Sequence, residues 1–261
     1  MKTLVLAAAL LGAPPPAAPL PEAPAAVVAA LEQSTAGLGA AIDRWQSGPG
    51  AGGATPRDVT LWALRQQRLF LALTYDRELG RRAWPLLGRE ARETLGARRR
   101  LVSLTPPTRL PPSAFRTGPA APAASLLRWY REAERRFGVG WEVLAAVNFV
   151  ETGFGRLRSS SSAGAQGPMQ FLPATWRAYG LGGNVRDPHD AILGAANYLR
   201  ASGAAGDLRR ALFAYNRSTS YVDAVIAFAG QMQRDERIYF AYHSWQVFIK
   251  TPGGPRRITG P

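Results

Sequence analysis

The run Trp141-Glu142-Val143-Leu144-Ala145-Ala146-Val147-Asn148-Phe149-Val150-Glu151-Thr152-Gly153 is helical in period, apolar along most of its length, and ends on an acid. Leu144, Val147 and Glu151 recur at i, i+3 and i+7, so on a helix they share one face and the carboxylate turns toward the buried side. Gly153 is placed to close the helix. That puts Glu151 in the last turn, where the negative end of the macrodipole disfavours a further negative charge. Apolar neighbours and the dipole both push its pKa up. A carboxylic acid still protonated near neutral pH can hand a proton to a departing oxygen, which is what cleavage of a glycosidic bond requires. An ordinary helix-end Glu curls out to water instead, and the residues that follow Glu151 decide between the two.

A chain of 261 residues with 46% hydrophobic content has ample material for a core. Met1 to Ala13 combine one lysine, a short apolar run and small residues, which reads as a secretory signal and is too short to span a bilayer as a mature helix. With it, residues 1–24 form an Ala/Pro-rich leader and the protein is expected in the cell envelope or outside the cell. No other membrane-spanning candidate is read. The absence of cysteine removes disulfides and thiolate metal sites. The net charge of +14, with a pI near 11.1, is carried almost wholly by arginine and favours polyanionic partners such as an acidic cell-wall polymer. The arginines are scattered and lack the aromatic interleaving of a nucleic-acid platform, so no nucleic-acid partner is expected.

Helical spacing then organises the chain. Residues 25–104 form an N-terminal helical region: an Ala-rich helix over about 25–45, a Gly-rich break, and a hairpin of two helices. The first helix of the hairpin has Thr55 as N-cap, and the second carries Trp84, Leu87, Ala91 and Leu95 on one face. Six prolines between Pro106 and Pro122 make residues 105–124 a stiff linker and a domain boundary, so the part beyond it is expected to fold alone. Residues 125–236 are helical almost throughout, with further helices opening at Pro173, Pro188, Asp207 and Tyr221. Ile238 to Ile249 are aromatic and β-branched, and with the return after Pro252-Gly253-Gly254 they read as a small β-hairpin over 237–261.

Four segments now occur in a telling order: Glu151-Thr152-Gly153-Phe154-Gly155; Ser161-Ser162-Ala163-Gly164-Ala165-Gln166-Gly167-Pro168-Met169-Gln170-Phe171; Asp187-Pro188-His189-Asp190 through Asn197-Tyr198-Leu199; and Ala214-Tyr215-Asn216. Together they resemble the ordered signatures of the transglycosylase SLT domain, the family of lytic murein transglycosylases. The resemblance covers about residues 123–233. It implies a mainly α, goose-type-lysozyme-like catalytic domain acting on peptidoglycan glycan strands at the MurNAc-GlcNAc β-1,4 bond. It also implies that Glu151 is the single catalytic acid and then base, that the muramoyl C6 hydroxyl is the nucleophile, and that the product ends in a 1,6-anhydro sugar. Ser161, Met169, Gln170, Tyr215 and Asn216 match the family's substrate-contacting positions. Pro168 departs from the residue some relatives carry there.

Gly164 and Gly167 suit a loop that needs positive φ, and Asp187 with Pro188 reads as N-cap and N1 of a helix, a structural role. The other carboxylates of the domain, Glu132, Glu134, Glu142, Asp190, Asp207 and Asp223, look surface-facing, whereas a hydrolase usually needs a second carboxylate within about 5–9.5 Å. A muramidase acting on the same bond and a non-catalytic peptidoglycan-binding scaffold are the rival readings. His189 and His243 are far apart in sequence, so no metal is expected, and no phosphate-binding loop or other cofactor motif occurs. A monomer is expected.

Overall fold

The computed structural model describes residues 12–261, and most of the expected secretory signal, Met1 to Leu11, lies outside them. Among the described residues the chain forms eleven α-helices and one short hairpin, so the architecture is mainly helical as expected. Before the proline-rich stretch come α1 (Pro24–Ser47), α2 (Arg57–Tyr75), α3 (Arg77–Ala83) and α4 (Arg89–Leu104). After it come α5 (Ala123–Phe137), α6 (Trp141–Thr152), α7 (Pro173–Tyr179), α8 (Pro188–Ala201), α9 (Leu208–Tyr215), α10 (Thr219–Arg234) and α11 (Glu236–His243). Strands β1 (Phe248–Thr251) and β2 (Gly254–Arg257) then pair antiparallel.

The helix ends follow local chemistry. Asp76, Asp187, Asp207, Ser218 and Asp235 each accept a backbone N–H at the start of a helix, which satisfies donors the first turn leaves unpaired. Gly138 and Gly153 close α5 and α6 in the left-handed conformation. Thr55 does not cap α2: the N-cap is Pro56, without a side-chain bond. The expected helix through Trp84 starts only at Arg89: Trp84–Leu86 form a 3-10 turn, and Leu87 and Gly88 after it are extended.

The largest difference is at the tail. Ile238 to His243, expected as the start of a strand, lie in helix α11. Tyr239, Phe240, Tyr242 and His243 recur at helical spacing and all are buried, and Asp235 caps the start. An aromatic run supports either period, and the cap and the partners it packs on decide. Only Phe248 onward is strand.

Helix α6 lies in the middle, with Val143 through Asn148 all buried. Helix α10 packs on it, and so does α5, which also packs on α8. Phe149 sits in an aromatic cluster, stacked on Phe154 at 5.6 Å and Tyr242 at 5.0 Å and edge-on to Phe228 at 5.0 Å. Full burial of such a ring stabilises by about 1.5–3 kcal/mol, so this cluster helps to fix the helix that carries Glu151.

The proline-rich segment does not insulate the two helical regions. It runs along the later part, where Gly118 N–H donates to Arg156 O at 3.0 Å and Thr108 N–H to Lys250 O at 2.8 Å. Helix α4 packs against α10, and α1 against α11, so the buried residues form one continuous core. Even the leader is held: Arg68 donates to the carbonyls of Pro16 and Ala18, both at 2.8 Å. Helix α1, which the sequence reading passed over as a span, is long and apolar enough to cross a membrane by length and composition; here Val27, Leu31, Leu38, Ile42 and Trp45 enter the core.

Candidate active site

Glu151 sits in the last turn of α6, one residue before the helix ends and two before the Gly153 C-cap. Gly153, Phe154 and Gly155 then take three consecutive positive φ values, 59°, 62° and 81°. This turn folds the chain sharply back, and Thr152 fixes it: its hydroxyl donates to Pro168 O at 2.6 Å and accepts from Gly155 N–H at 2.9 Å. The helix end and the Gly167–Phe171 loop are thereby tied together. Behind Thr152, the fully buried Asn148 amide donates to Tyr130 Oη at 2.7 Å.

Glu151 keeps partial exposure. Protein nevertheless surrounds its carboxyl closely enough that burial pushes its pKa up to about 7, against an opposing hydrogen bond from Tyr221. The Tyr221 hydroxyl donates to Glu151 Oε1 at 2.7 Å. Burial, and the negative charge of Glu151 beside them, raise the pKa of both Tyr215 and Tyr221 well above the usual phenol range, so each remains a proton donor. Among the described residues no second carboxylate shifts the pKa of Glu151. Glu132 instead meets His189 Nε2 at 2.9 Å, Asp223 pairs with Arg209 at 2.6 Å, Asp207 caps α9, and Asp190 accepts from Asn184 N–H at 2.8 Å.

The other expected residues divide. The Tyr215 hydroxyl donates to Met169 O at 2.7 Å, which brings α9 and the Gln166–Phe171 loop together beside the acid. Asn216 is exposed at the end of α9. Gln170 lies half-buried at the loop tip with φ 51°, its amide donating to Gly167 O at 3.0 Å. Met169 is placed differently from a groove-lining residue: its side chain is fully buried in the core, and what it offers Tyr215 is its carbonyl. Ser161 is exposed, and its hydroxyl accepts Ala165 N–H at 3.0 Å and makes no hydrogen bond to Glu151. Gly164 and Gly167 both have positive φ, and a Cβ on Gly167 would lie 1.8 Å from Val185 O, so it is protein backbone that approaches there.

The sequence motifs do not single out Tyr221, although its spacing carries a signal. It shares a face with Val225 and Phe228 at i, i+4 and i+7, three residues after the Ser218 N-cap, so its hydroxyl is carried into the interior, as the carboxyl of Glu151 is by Leu144 and Val147. Among the described residues no group of three His, Cys, Asp or Glu side chains gathers as a metal site would require.

Residues 128–238 match the family model of the transglycosylase SLT domain. The match spans α6 to α10 and includes Glu151, Tyr215 and Tyr221. No solved structure matches the chain.

Proposed function

Starting from the transglycosylase SLT domain of lysozyme-like fold that residues 128–238 form, we propose that the protein is a peptidoglycan lytic transglycosylase with Glu151 as its single catalytic residue. The observation that carries this reading is a half-buried carboxyl with a pKa raised to about 7, held by one phenol and without a carboxylate partner. Near neutral pH a large fraction of Glu151 is protonated. It donates that proton to the oxygen of the MurNAc-GlcNAc bond as the bond breaks, leaving positive charge on the muramoyl C1 and a carboxylate at Glu151. The carboxylate then accepts the proton of the muramoyl C6 hydroxyl as that oxygen closes on C1. The acid is regenerated and a 1,6-anhydro ring is formed. A hydroxyl tethered to the reacting sugar has an effective concentration that a loosely held water lacks, and among the described residues no other carboxylate perturbs Glu151, which supports capture by that hydroxyl.

Tyr221 acts as a positioning residue: its O–H fixes the carboxyl and stabilises the charged form between the two proton transfers. Asn216, Tyr215 and Gln170, at or near the surface of the elements around the acid, are proposed to contact the glycan, with Ser161 further out on the loop. The site of action is extracytoplasmic, and a charge of +14 draws the protein to an anionic wall.

The test is digestion of purified sacculi followed by mass spectrometry. Fragments ending in 1,6-anhydro-MurNAc, absent with a folded Glu151→Gln variant, are expected. Reducing-end MurNAc would make the protein a muramidase, and no fragments from folded wild type would make it a binding scaffold.

A further inference from the structure

The 3-10 turn between α3 and α4 holds two large apolar side chains at the surface. Trp84 is 39% exposed and Leu86 50%, although helical spacing puts Trp84 on one face with Leu87, which is buried. Pro85 between them is exposed as well. The backbone of the turn is closed off. Trp84 N–H donates to Gly80 O, Trp84 O accepts Leu87 N–H at 3.3 Å and Arg92 Nε at 3.0 Å, and Pro85 O accepts Arg92 Nη2 at 2.9 Å. Pro85 has no N–H to satisfy. Unpaired backbone groups are what make leaving water expensive, so a turn paired in this way can do so at small cost. The charge around it is lopsided: residues 77–100 hold eight arginines and three glutamates. Of the three, Glu78 pairs with Arg81 at 2.7 Å and Glu93 pairs with Arg234. Arg77, Arg82 and Arg92 form no ion pair among the described residues, and Arg99 lies over the Trp84 ring at 5.9 Å.

We propose that this turn docks on a membrane surface rich in anionic lipid, with Trp84 and Leu86 entering the boundary between headgroups and acyl chains and the arginines meeting the headgroups. Apolar side chains and cations act together in such binding, and tryptophan favours that depth. A soluble polyanion would use the arginines and gain nothing from Trp84 and Leu86. A purely apolar partner would gain nothing from the arginines. The placement also leaves the acid free: α4 runs antiparallel to α10, with Glu93 paired to Arg234 and Arg100 to Asp223, so the turn lies at the end of that pair away from Tyr221, which holds Glu151. The separation along the helix is roughly 20 Å at about 1.5 Å per residue. The docking surface does not rest on the glycan-cleaving reading.

Co-sedimentation of the full chain with phosphatidylglycerol vesicles should show binding at least about tenfold tighter than to phosphatidylcholine vesicles at the same ionic strength. Trp84→Ser combined with Leu86→Ser should weaken binding to phosphatidylglycerol at least about tenfold and leave the melting midpoint in place, since both side chains are exposed. The apolar run Met1–Leu11 is common to both proteins, so a second measurement reads the turn alone. The chain has no cysteine, and a single Leu86→Cys therefore carries one nitroxide. On phosphatidylglycerol that label should become accessible to oxygen and shielded from a water-soluble nickel complex. A nitroxide on Ala205→Cys, exposed in the turn after α8, should stay in water. Absence of binding to phosphatidylglycerol overturns the proposal, and so does a Leu86→Cys label that stays in water on bound protein, which would leave only attraction of the arginines to a polyanion. Equal shielding of that label on phosphatidylcholine overturns the assignment to anionic lipid.

Discussion

Replacing Glu151 by Gln should stabilise the protein at alkaline pH and do nothing at acid pH, because the structure holds this carboxyl where its charged form is disfavoured. The group has a pKa of about 7 in the fold against an ordinary 4.5. Folded chains therefore keep a proton that unfolded chains release. With a folded pKa raised above the unfolded one, a carboxyl contributes its full share of stability below pH 4.5 and loses it as pH climbs to about 7. A gap of roughly 2.5 pH units at about 1.4 kcal/mol each amounts to about 3 kcal/mol. The amide carries no charge and can still accept the Tyr221 hydroxyl. Thermal unfolding of both proteins at pH 4 and pH 8 reads the effect directly: coincident midpoints at pH 4, and at pH 8 a variant melting higher by roughly 6–12 °C for a chain of this size. A difference that does not change with pH would refute the claim that burial of the carboxyl is what perturbs it, and with it the reason for calling Glu151 an acid at neutral pH.

Tyr221→Phe removes the one hydrogen bond that favours the ionised carboxyl, worth about 1.5–3 kcal/mol, so the alkaline limb of the lysis-versus-pH profile should move up by about 1–2 pH units while kcat falls; an unmoved limb would leave Tyr221 with packing alone. At the neighbouring loop, Gly167→Ala places a Cβ 1.8 Å from Val185 O at φ 73°, whereas Gly164→Ala at φ 80° meets nothing within 4 Å. The first should cost clearly more than the roughly 1–3 kcal/mol of left-handed strain that both share, as read from urea unfolding; equal losses would refute the contact.

Most of what points to the acid was legible because it is local. Gly153 closing the helix, Asp187 capping α8 with Pro188 in its first turn, and the inward face of Glu151 are all consequences of neighbours within two turns. Tyr221 was legible in principle, since a phenol on an apolar stripe obeys the same spacing, but nothing local says which group its hydroxyl meets 70 residues away. Met169 shows the converse: the motif marks the position, and only packing tells that the carbonyl rather than the thioether faces Tyr215. The tail was misread because Tyr239, Phe240 and Tyr242 satisfy a strand composition and a helix period at once, and the Asp235 cap that settles the matter is a single residue. Trp84 shares a helical face with Leu87 in the sequence, and only the 3-10 turn shows that Leu87 alone goes inside.

The region before the prolines packs on the region after them, and whether the prolines still mark a domain boundary can be tested. Proline-rich chain was expected to separate two bodies, so that residues 123–261 would fold alone. Yet Trp245 Nε1 donates to Gln66 Oε1 at 3.1 Å, Gln67 exchanges hydrogen bonds of 2.7 and 2.8 Å with the backbone of Gln246, and Thr94 Oγ1 lies 3.1 Å from Gln231 Oε1 and 2.9 Å from Tyr242 Oη. Phe70 packs on Trp245 with centroids 5.8 Å apart. Truncation at residue 123 would strip these partners from Trp245, Gln231 and Tyr242 together and uncover the α10 and α11 faces that α4 and α1 now cover. Water can replace the lost hydrogen bonds but not the apolar cover, since large exposed apolar patches drive association. The fragment should therefore be insoluble, or soluble without a cooperative melting transition, while the chain from residue 12 melts as one unit. A fragment 123–261 that unfolds cooperatively and cleaves sacculi within a few-fold of the longer chain would show that the shared core adds little, and that the prolines mark a true domain boundary.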